Sequence, residues 1–190
     1  MKKLTLFIAA IALTTMTFAQ STYTLDKNHA RLSFSVFHFG ISHIEGIFNT
    51  FDATLVSSKN DFSDAKIEMT AAVKSINTEV EMRDNDLRSA GWFDAEKYPV
   101  ITFKSKSFKK IKGKNYILAG NITMHGITKP IVFNVVFNGK GQNPFSKKYS
   151  YGFTITGKLK RNDFGVGGEP LATGVSSEIE LKSNVEFIIN

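Results

Sequence analysis

Period-two alternation of apolar and polar residues runs through most of this chain and constrains its fold more than any other feature. Eight segments carry it, approximately 30–39, 46–57, 65–76, 99–108, 115–125, 130–139, 149–161 and 175–189. Successive side chains of a strand point to opposite faces, so each segment reads as a strand with one dry and one wet side. The dry sets begin with Leu32, Phe34, Val36 and His38, then Gly46 and Phe48, and after a one-residue slip Phe51, Ala53 and Leu55. The slip predicts a β-bulge. Ala65, Ile67, Met69, Ala71 and Val73 follow, then Ile101 and Phe103, then Leu118, Gly120, Ile122 and Met124. The two strands before the C-terminal one place Ile131, Phe133, Val135 and Phe137, then Tyr151, Phe153, Ile155, Gly157 and Leu159, on their dry sides. The final segment is the most regular: Val175, Ser177, Ile179, Leu181, Ser183, Val185 and Phe187 face one way, with Ser176, Glu178, Glu180, Lys182, Asn184 and Glu186 opposite.

Eight long strands joined by Gly-, Asn- and Lys-rich turns predict an all-β fold, an eight-stranded antiparallel barrel that removes exposed sheet edges by closing on itself. A barrel of this size either just fills with side chains or holds one small ligand. The small residues Gly46, Ala65, Ala71, Gly120, Gly157, Ser177 and Ser183 among the bulky dry ones imply unfilled interior volume, hence a long apolar cavity. The opposite orientation, an outer-membrane barrel with apolar residues outside, would crowd Lys66, Glu68, Lys104, Lys158, Glu178, Glu180 and Lys182 into the lumen. Eight strands leave little room for them, and the single Trp supplies no aromatic girdle.

Residues 1–19 stand apart. Lys2 and Lys3 precede the apolar run Leu4 to Leu13, and Thr17-Phe18-Ala19 ends in a small residue, which is the pattern of a secretory signal peptide. Its removal leaves one domain of 171 residues, 20–190, with a formal charge of +5 instead of +7. The expected location is periplasmic or secreted. The chain has no Cys, so neither a lipidated thiol nor a disulfide framework is available. No apolar run after the leader is long enough to span a bilayer as a helix. The lysines are spread along the chain with no basic stripe interleaved with stacking aromatics, which argues against nucleic acid as a partner.

Between the third and fourth strands the period changes. Val80, Arg83, Leu87 and Ala90 recur at spacings of three and four, with Thr78 as an N-cap and Gly91 as a stop, which predicts a short helix over 79–90 of about three turns. Trp92-Phe93 follows it. Helix and aromatic pair are placed to cover one mouth of the barrel.

The run "SINTEVEMRDNDLRSAGWFDAEKYPVITFKS" from Ser75, followed by "GNITMHGITKPI" from Gly120 and "RNDFGV" from Arg161, resembles the YceI-like family of exported polyisoprenoid-binding proteins. The likeness includes "NHARLSFSVFHFGISHIEGIFNTF" from Asn28 and covers nearly the whole chain after the leader. It implies a lipocalin-like barrel whose hydrophobic channel holds an isoprenoid chain, such as that of a quinone or a prenyl phosphate. Where the family usually reads Arg-Asp-x-His-Leu, this chain has Arg83-Asp84-Asn85-Asp86-Leu87, so a head-group role for that His does not carry over to Asp86.

Catalysis needs an acid–base pair or nucleophile oriented by a neighbour. The dry faces hold one His, His38, and no Asp, Glu, Lys or Arg. His29, His38, His43 and His125 follow no zinc spacing, and Gly165 to Pro170 lacks the Lys-Ser/Thr of a phosphate loop. No catalytic residue, metal ligand or required cofactor is therefore assigned. Arg161 and Asp163 are expected to pair with each other, and Arg83 to bridge a carboxylate that pins the helix, or else to meet a ligand head group. The expected ligand contacts are Phe34, Val36, His38, Phe48, Ile67, Met69, Ala71, Phe103, Gly120, Ile122, Phe133, Phe153, Ile155, Ile179 and Leu181 from the strands, with Arg83, Leu87, Trp92 and Phe93 from the lid. The function expected is an exported carrier or reservoir of an isoprenoid-type lipid, with association as a homodimer left open. The competing classes are an enzyme acting on a lipophilic substrate through His38 or Arg83–Asp84, and a secreted interaction protein with a filled core.

Overall fold

The computed structural model describes residues 20–168, 170 and 172–189, so the segment read as a signal peptide lies outside them. Eleven strands form in chain order: β1 Ser21–Leu25, β2 Arg31–His38, β3 Ser42–Phe48, β4 Phe51–Ser57, β5 Lys66–Ala72, β6 Ile76–Asn77, β7 Val100–Lys112, β8 Asn115–Met124, β9 Ile127–Gln142, β10 Tyr149–Lys160 and β11 Val175–Ile189. One helix, α1 Glu81–Arg88, lies between β6 and β7. Every pairing is antiparallel, in the order β1-β4-β5-β7-β8-β9-β10-β11, and β11 pairs back onto β1. The result is a closed eight-stranded antiparallel barrel. β2, β3 and β6 continue the sheet from the first half of β11, where Leu181 faces Phe34 across the ladder.

Eleven strands replace the expected eight because two of the expected strands, 46–57 and 65–76, are each broken in two, and because β1, which the alternation did not mark, precedes the first expected strand. β1 runs into β2 through a 3-10 turn at Lys27–His29, β3 stops at Phe48 before β4 begins at Phe51, and β5 reaches β6 through a 3-10 turn at Val73–Ser75. Hydrogen bonds tie the two breaks together. Asn49 N donates to Ser75 O at 3.0 Å, Thr50 N to Ser75 Oγ at 3.0 Å, and Ala72 N to Thr50 O at 2.9 Å. The slip read as a single bulge is thus part of a kink shared by adjacent strands. It also moves the helix: α1 follows the sixth strand of the chain, not the third.

α1 is shorter than its apolar spacing implied, and its anchoring is polar. Val80, not Thr78, occupies the N-cap position and is exposed, as is Ala90, leaving Leu87 the one apolar residue of the expected face that packs inward. Asp84 is buried instead, accepting from Thr78 N at 2.9 Å and Thr78 Oγ1 at 2.6 Å, and Arg88 donates to Ile76 O at 2.8 Å. With β7 paired to β5 and not to β6, α1 and the loop after it cover the gap.

The dry faces point inward, and the charged residues of the same strands point out. Lys104 bonds Glu68 at 2.7 Å, and Lys158 bonds Glu178 at 2.8 Å and Glu180 at 3.1 Å, all on the exterior. This is the reverse of a lipid-facing barrel. Among the described residues no helix is long and apolar enough to cross a membrane.

The end of the barrel opposite α1 is sealed by aromatics. Phe62, from the loop between β4 and β5, is 1% exposed, and its ring lies 5.4 Å from Tyr23, 5.3 Å from Tyr151, 5.4 Å from Phe153 and 5.7 Å from Phe137, all edge-on. The loop is held by Asp64, which accepts from Ser57 Oγ at 2.5 Å, from Ser58 N at 3.1 Å and from Ser58 Oγ. Partial burial opposes ionisation of Asp64, but these hydrogen bonds outweigh it and hold the carboxyl well below the usual carboxylate range.

Candidate functional site

Inside the barrel lies an apolar cavity of about 460 Å³, within the range of about 300–1,000 Å³ usual for small-molecule sites. Its wall collects side chains from nearly every strand. Phe34, Val36 and His38 come from β2, Phe48 from β3, Ile67, Met69 and Ala71 from β5, Phe103 from β7, Ile122 from β8, Phe133 from β9, Ile155 from β10, and Ile179 and Leu181 from β11. Arg83 and Leu87 of α1 and Trp92 and Phe93 just after it complete the set. Of the residues expected to touch a ligand, only Gly120 and Phe153 do not line it.

Both departures have a steric cause. A Cβ at Gly120 would collide with the Lys104 carbonyl and the Phe103 ring, so the ring already fills the space the missing side chain leaves. Gly46 under Phe34 and Gly157 under Phe133 repeat the arrangement. The strand glycines therefore seat aromatic rings and do not by themselves open the barrel. The open volume is bounded instead by Ala53, Ala71 and Ser183, and by half-buried aliphatics that face it. Phe153 belongs to the aromatic seal below, where Phe62 inserts from a loop with no strand-like periodicity.

The wall also holds residues the alternation did not single out. Ile44 extends the β3 dry face one step beyond Gly46, a continuation of period two that was there to be read. Thr78, Asp86, Ser89, Arg161 and Val166 come from α1 and loops, where no strand period applies.

The α1 end of the wall, taken as the mouth because it lies opposite the aromatic seal, brings Arg83, Asp86 and Leu87 of α1 together with Val36 and His38 of β2 and Ile44 of β3. Arg83 Nε donates to Thr78 Oγ1 at 2.7 Å, and another of its nitrogens donates to Thr78 O at 2.7 Å. The carboxylate bridge expected for Arg83 is not formed. Among the described residues no carboxylate lies within ion-pair distance of it, because the adjacent Asp84 is turned to Thr78. Thr78 thus links a buried anion to a cation that faces the cavity.

Arg161 likewise does not spend its guanidinium on Asp163. Buried beneath the loop after β10, it donates to Ser176 O at 3.1 Å, Val166 O at 3.0 Å, Val175 O at 3.0 Å and Gly167 O. Its guanidinium also lies 5.9 Å from the Trp92 ring, which rests on Gly167. The Gly-rich stretch is therefore strapped down as a wall of the cavity.

The four histidines do not gather. His125 Nδ1 bonds Phe164 O at 3.0 Å, and His43 Nδ1 bonds Ser35 Oγ at 3.1 Å on the exterior. His29 pairs with Asp26 at 3.0 Å, with Glu186 beside them. His38 alone faces the cavity, stacked edge-on against Phe39 at 4.2 Å, and among the described residues no hydrogen bond orients its ring as a general base requires.

A family model described as a YceI-like domain matches residues 23–187. The chain belongs to the YceI-like family. A UPF0312 protein of Staphylococcus aureus strain N315 is 33% identical over 174 residues, 90% of this chain and 99% of that protein. The crystal structure of the Campylobacter jejuni YceI protein superposes with a TM-score of 0.71 at 29% identity, covering 99% of this chain and 98% of that one. A polyisoprenoid binding domain from Saccharophagus degradans has a TM-score of 0.65 at 15% identity over 88% of this chain and 98% of its own, a likeness of fold. Membership of this family accounts for the closed strand order.

Proposed function

We propose that this YceI-like chain is an exported carrier or reservoir that holds the tail of a long isoprenoid-type lipid in the barrel, with the lipid's polar end at the mouth. The observation that carries this reading is the cavity: apolar along most of its wall, sealed below by the Phe62 cluster, and bounded at the α1 end by Arg83, a cation with no carboxylate partner among the described residues. Burial of apolar groups contributes about 0.8 kcal/mol per CH₂, so each five-carbon isoprene unit offers roughly 4 kcal/mol before the costs of binding are subtracted. Shape and greasiness are then enough for affinity, and the mouth selects the head.

Arg83 and Asp86 line the mouth together. A head group that accepts hydrogen bonds and carries little negative charge, of the quinone type, suits this pair better than a pyrophosphate, which Asp86 would repel. The exposed Phe39, Ile41 and Met82 flank the opening and offer an apolar path for a lipid entering it. The leader pattern of residues 1–19 supports a periplasmic or secreted location. Among the described residues no acid–base pair is oriented on the cavity wall, which supports binding as the role.

Native mass spectrometry of the purified protein, followed by organic extraction, tests the reading. Retention of an isoprenoid lipid is the expected result. A protein that never retains lipid and binds no added quinone would overturn it, and turnover of a lipophilic substrate that is lost in His38→Ala would replace it with an enzyme.

A further inference from the structure

The lysines that are spread along the sequence are gathered by the fold. Lys59 from the β4–β5 loop, Lys109, Lys110, Lys112 and Lys114 around the β7–β8 turn, and Lys140, Lys147 and Lys148 around the β9–β10 turn all lie at the sealed end and are all exposed. Backbone and side-chain contacts join these turns: Lys114 Nζ donates to Asn138 O at 3.3 Å, and Phe137 N donates to Lys114 O at 2.8 Å. Eight cations thus share one end of a chain whose whole formal charge is +7.

They are neutralised only in part, by the charge of Asp61 near Lys59 and Lys110. Some lysines elsewhere on the barrel meet carboxylates, as Lys104 does with Glu68 and Lys27 with Asp52, and others such as Lys106 and Lys160 do not; among the described residues none of these eight forms an ion pair. Asp61 and Asp64, in the same end's loop, turn to Ser63 and to Ser57 and Ser58. Two large apolar side chains protrude among the lysines. Phe145 is 92% exposed at the β9–β10 turn, and Ile111 is 64% exposed beside Lys110 and Lys112. Asn143 Oδ1 accepts from Phe145 N at 2.9 Å and Ser146 N at 3.0 Å, so the tip that presents Phe145 is a built turn.

We infer that the sealed end is a docking surface for a lipid bilayer bearing anionic head groups. A cluster of this many lysines is attracted to such a leaflet, and isolated apolar tips can enter its interfacial region while the lysines stay at head-group level. A protein partner would call for a contiguous apolar core, whereas these tips stand apart on separate turns. Phe145 is a ring on which a base could stack but Ile111 is not, and nucleic-acid grooves line up successive rings, which favours lipid over nucleic acid. Docking here holds the barrel to the surface by its base and leaves the mouth facing away, open to exchange with a soluble or membrane-borne partner.

Co-sedimentation with vesicles of phosphatidylglycerol mixed with phosphatidylcholine, against phosphatidylcholine alone, tests the inference independently of whether a lipid occupies the cavity. The protein is expected to bind the anionic vesicles and to release them at high salt. The double variant Lys112→Glu/Lys114→Glu should weaken binding about tenfold or more, and Phe145→Ser several-fold with every lysine intact. Lys129→Glu, at the opposite end, and Val132→Ser, on the outer flank, should leave it unchanged. Equal binding to uncharged vesicles, or an equal loss in Lys129→Glu, would overturn the inference. So would binding to soluble polyaspartate as tight as to vesicles together with no effect of Phe145→Ser.

Discussion

The Thr78 hydroxyl is a single buried group with two duties, donating to Asp84 Oδ1 and accepting from Arg83 Nε. Replacing Thr78 by Val keeps the shape but leaves a buried carboxylate one donor short, which should cost about 1–3 kcal/mol in urea unfolding. Arg83→Met removes no donor from Asp84, so it should unfold nearly as the parent does while weakening retention of a lipid with a polar head. If both variants lose stability equally, the two duties of Thr78 are not separable as described. Asp26 and His29 give a second test at this scale. The hydrogen bond from His29 is the main cause that lowers the Asp26 pKa, and the same bond to Asp26 is the main cause that raises that of His29 above 6.5. The pair therefore stabilises the fold at mildly acid pH. Its contribution fades as pH falls through the lowered Asp26 pKa and again as pH rises through the raised His29 pKa. An NMR titration of His29 should show a midpoint above 6.5 that falls back in Asp26→Asn. None of these partners was legible beforehand, since Arg83 has both Thr78 and carboxylates within a few residues and a sequence carries no distances.

Among the elements, the loop 58–65 contributes more than its lack of period suggested. Phe62 enters it at φ +59°, in the left-handed region unusual for a bulky residue, and the contacts with Tyr23, Tyr151 and Phe153 repay that conformation. Phe62→Ala should therefore cost about 3–5 kcal/mol in urea or thermal unfolding and open the barrel at its sealed end. A loss under 1 kcal/mol would show that the neighbouring rings close the seal unaided. The strands themselves were readable because burial of one face enforces alternation, and that force acts along the whole of β8, β10 and β11. It acts weakly where an element is short. β1 offers only Tyr23 and Leu25 as buried positions, and β6 has two residues, so neither leaves a detectable period. α1 misled for another reason: its hold on the barrel is polar, through Asp84 and Arg88, and apolar spacing marks only helices that bind by an apolar stripe.

For the whole molecule, the interior was legible from the sequence as a set of residues but not as a volume. Alternation states which side chains share the inside, and it placed Val36, Ile155 and Leu181 correctly on the cavity wall. It does not state how rings lean, which is why Gly120 was read as space and proves to be the seat of Phe103. A block of the cavity must therefore be built elsewhere. Ile155 is half-buried, faces the open volume, and lies opposite the small Ser183 in the ladder, so Ile155→Trp has room to turn its ring into the cavity. Ligand that binds only the folded state stabilises it by about 2.7 kcal/mol at a hundredfold excess over Kd. For a domain of this size each kcal/mol raises Tm by about 2–4 °C, so saturating quinone should raise the parent's Tm by roughly 5–11 °C. Ile155→Trp should melt without ligand close to the parent and gain little on adding it. A variant that still gains the full shift would place the tail outside this cavity, whereas a variant that melts far below the parent would show that the wall around Ile155 is packed and not open.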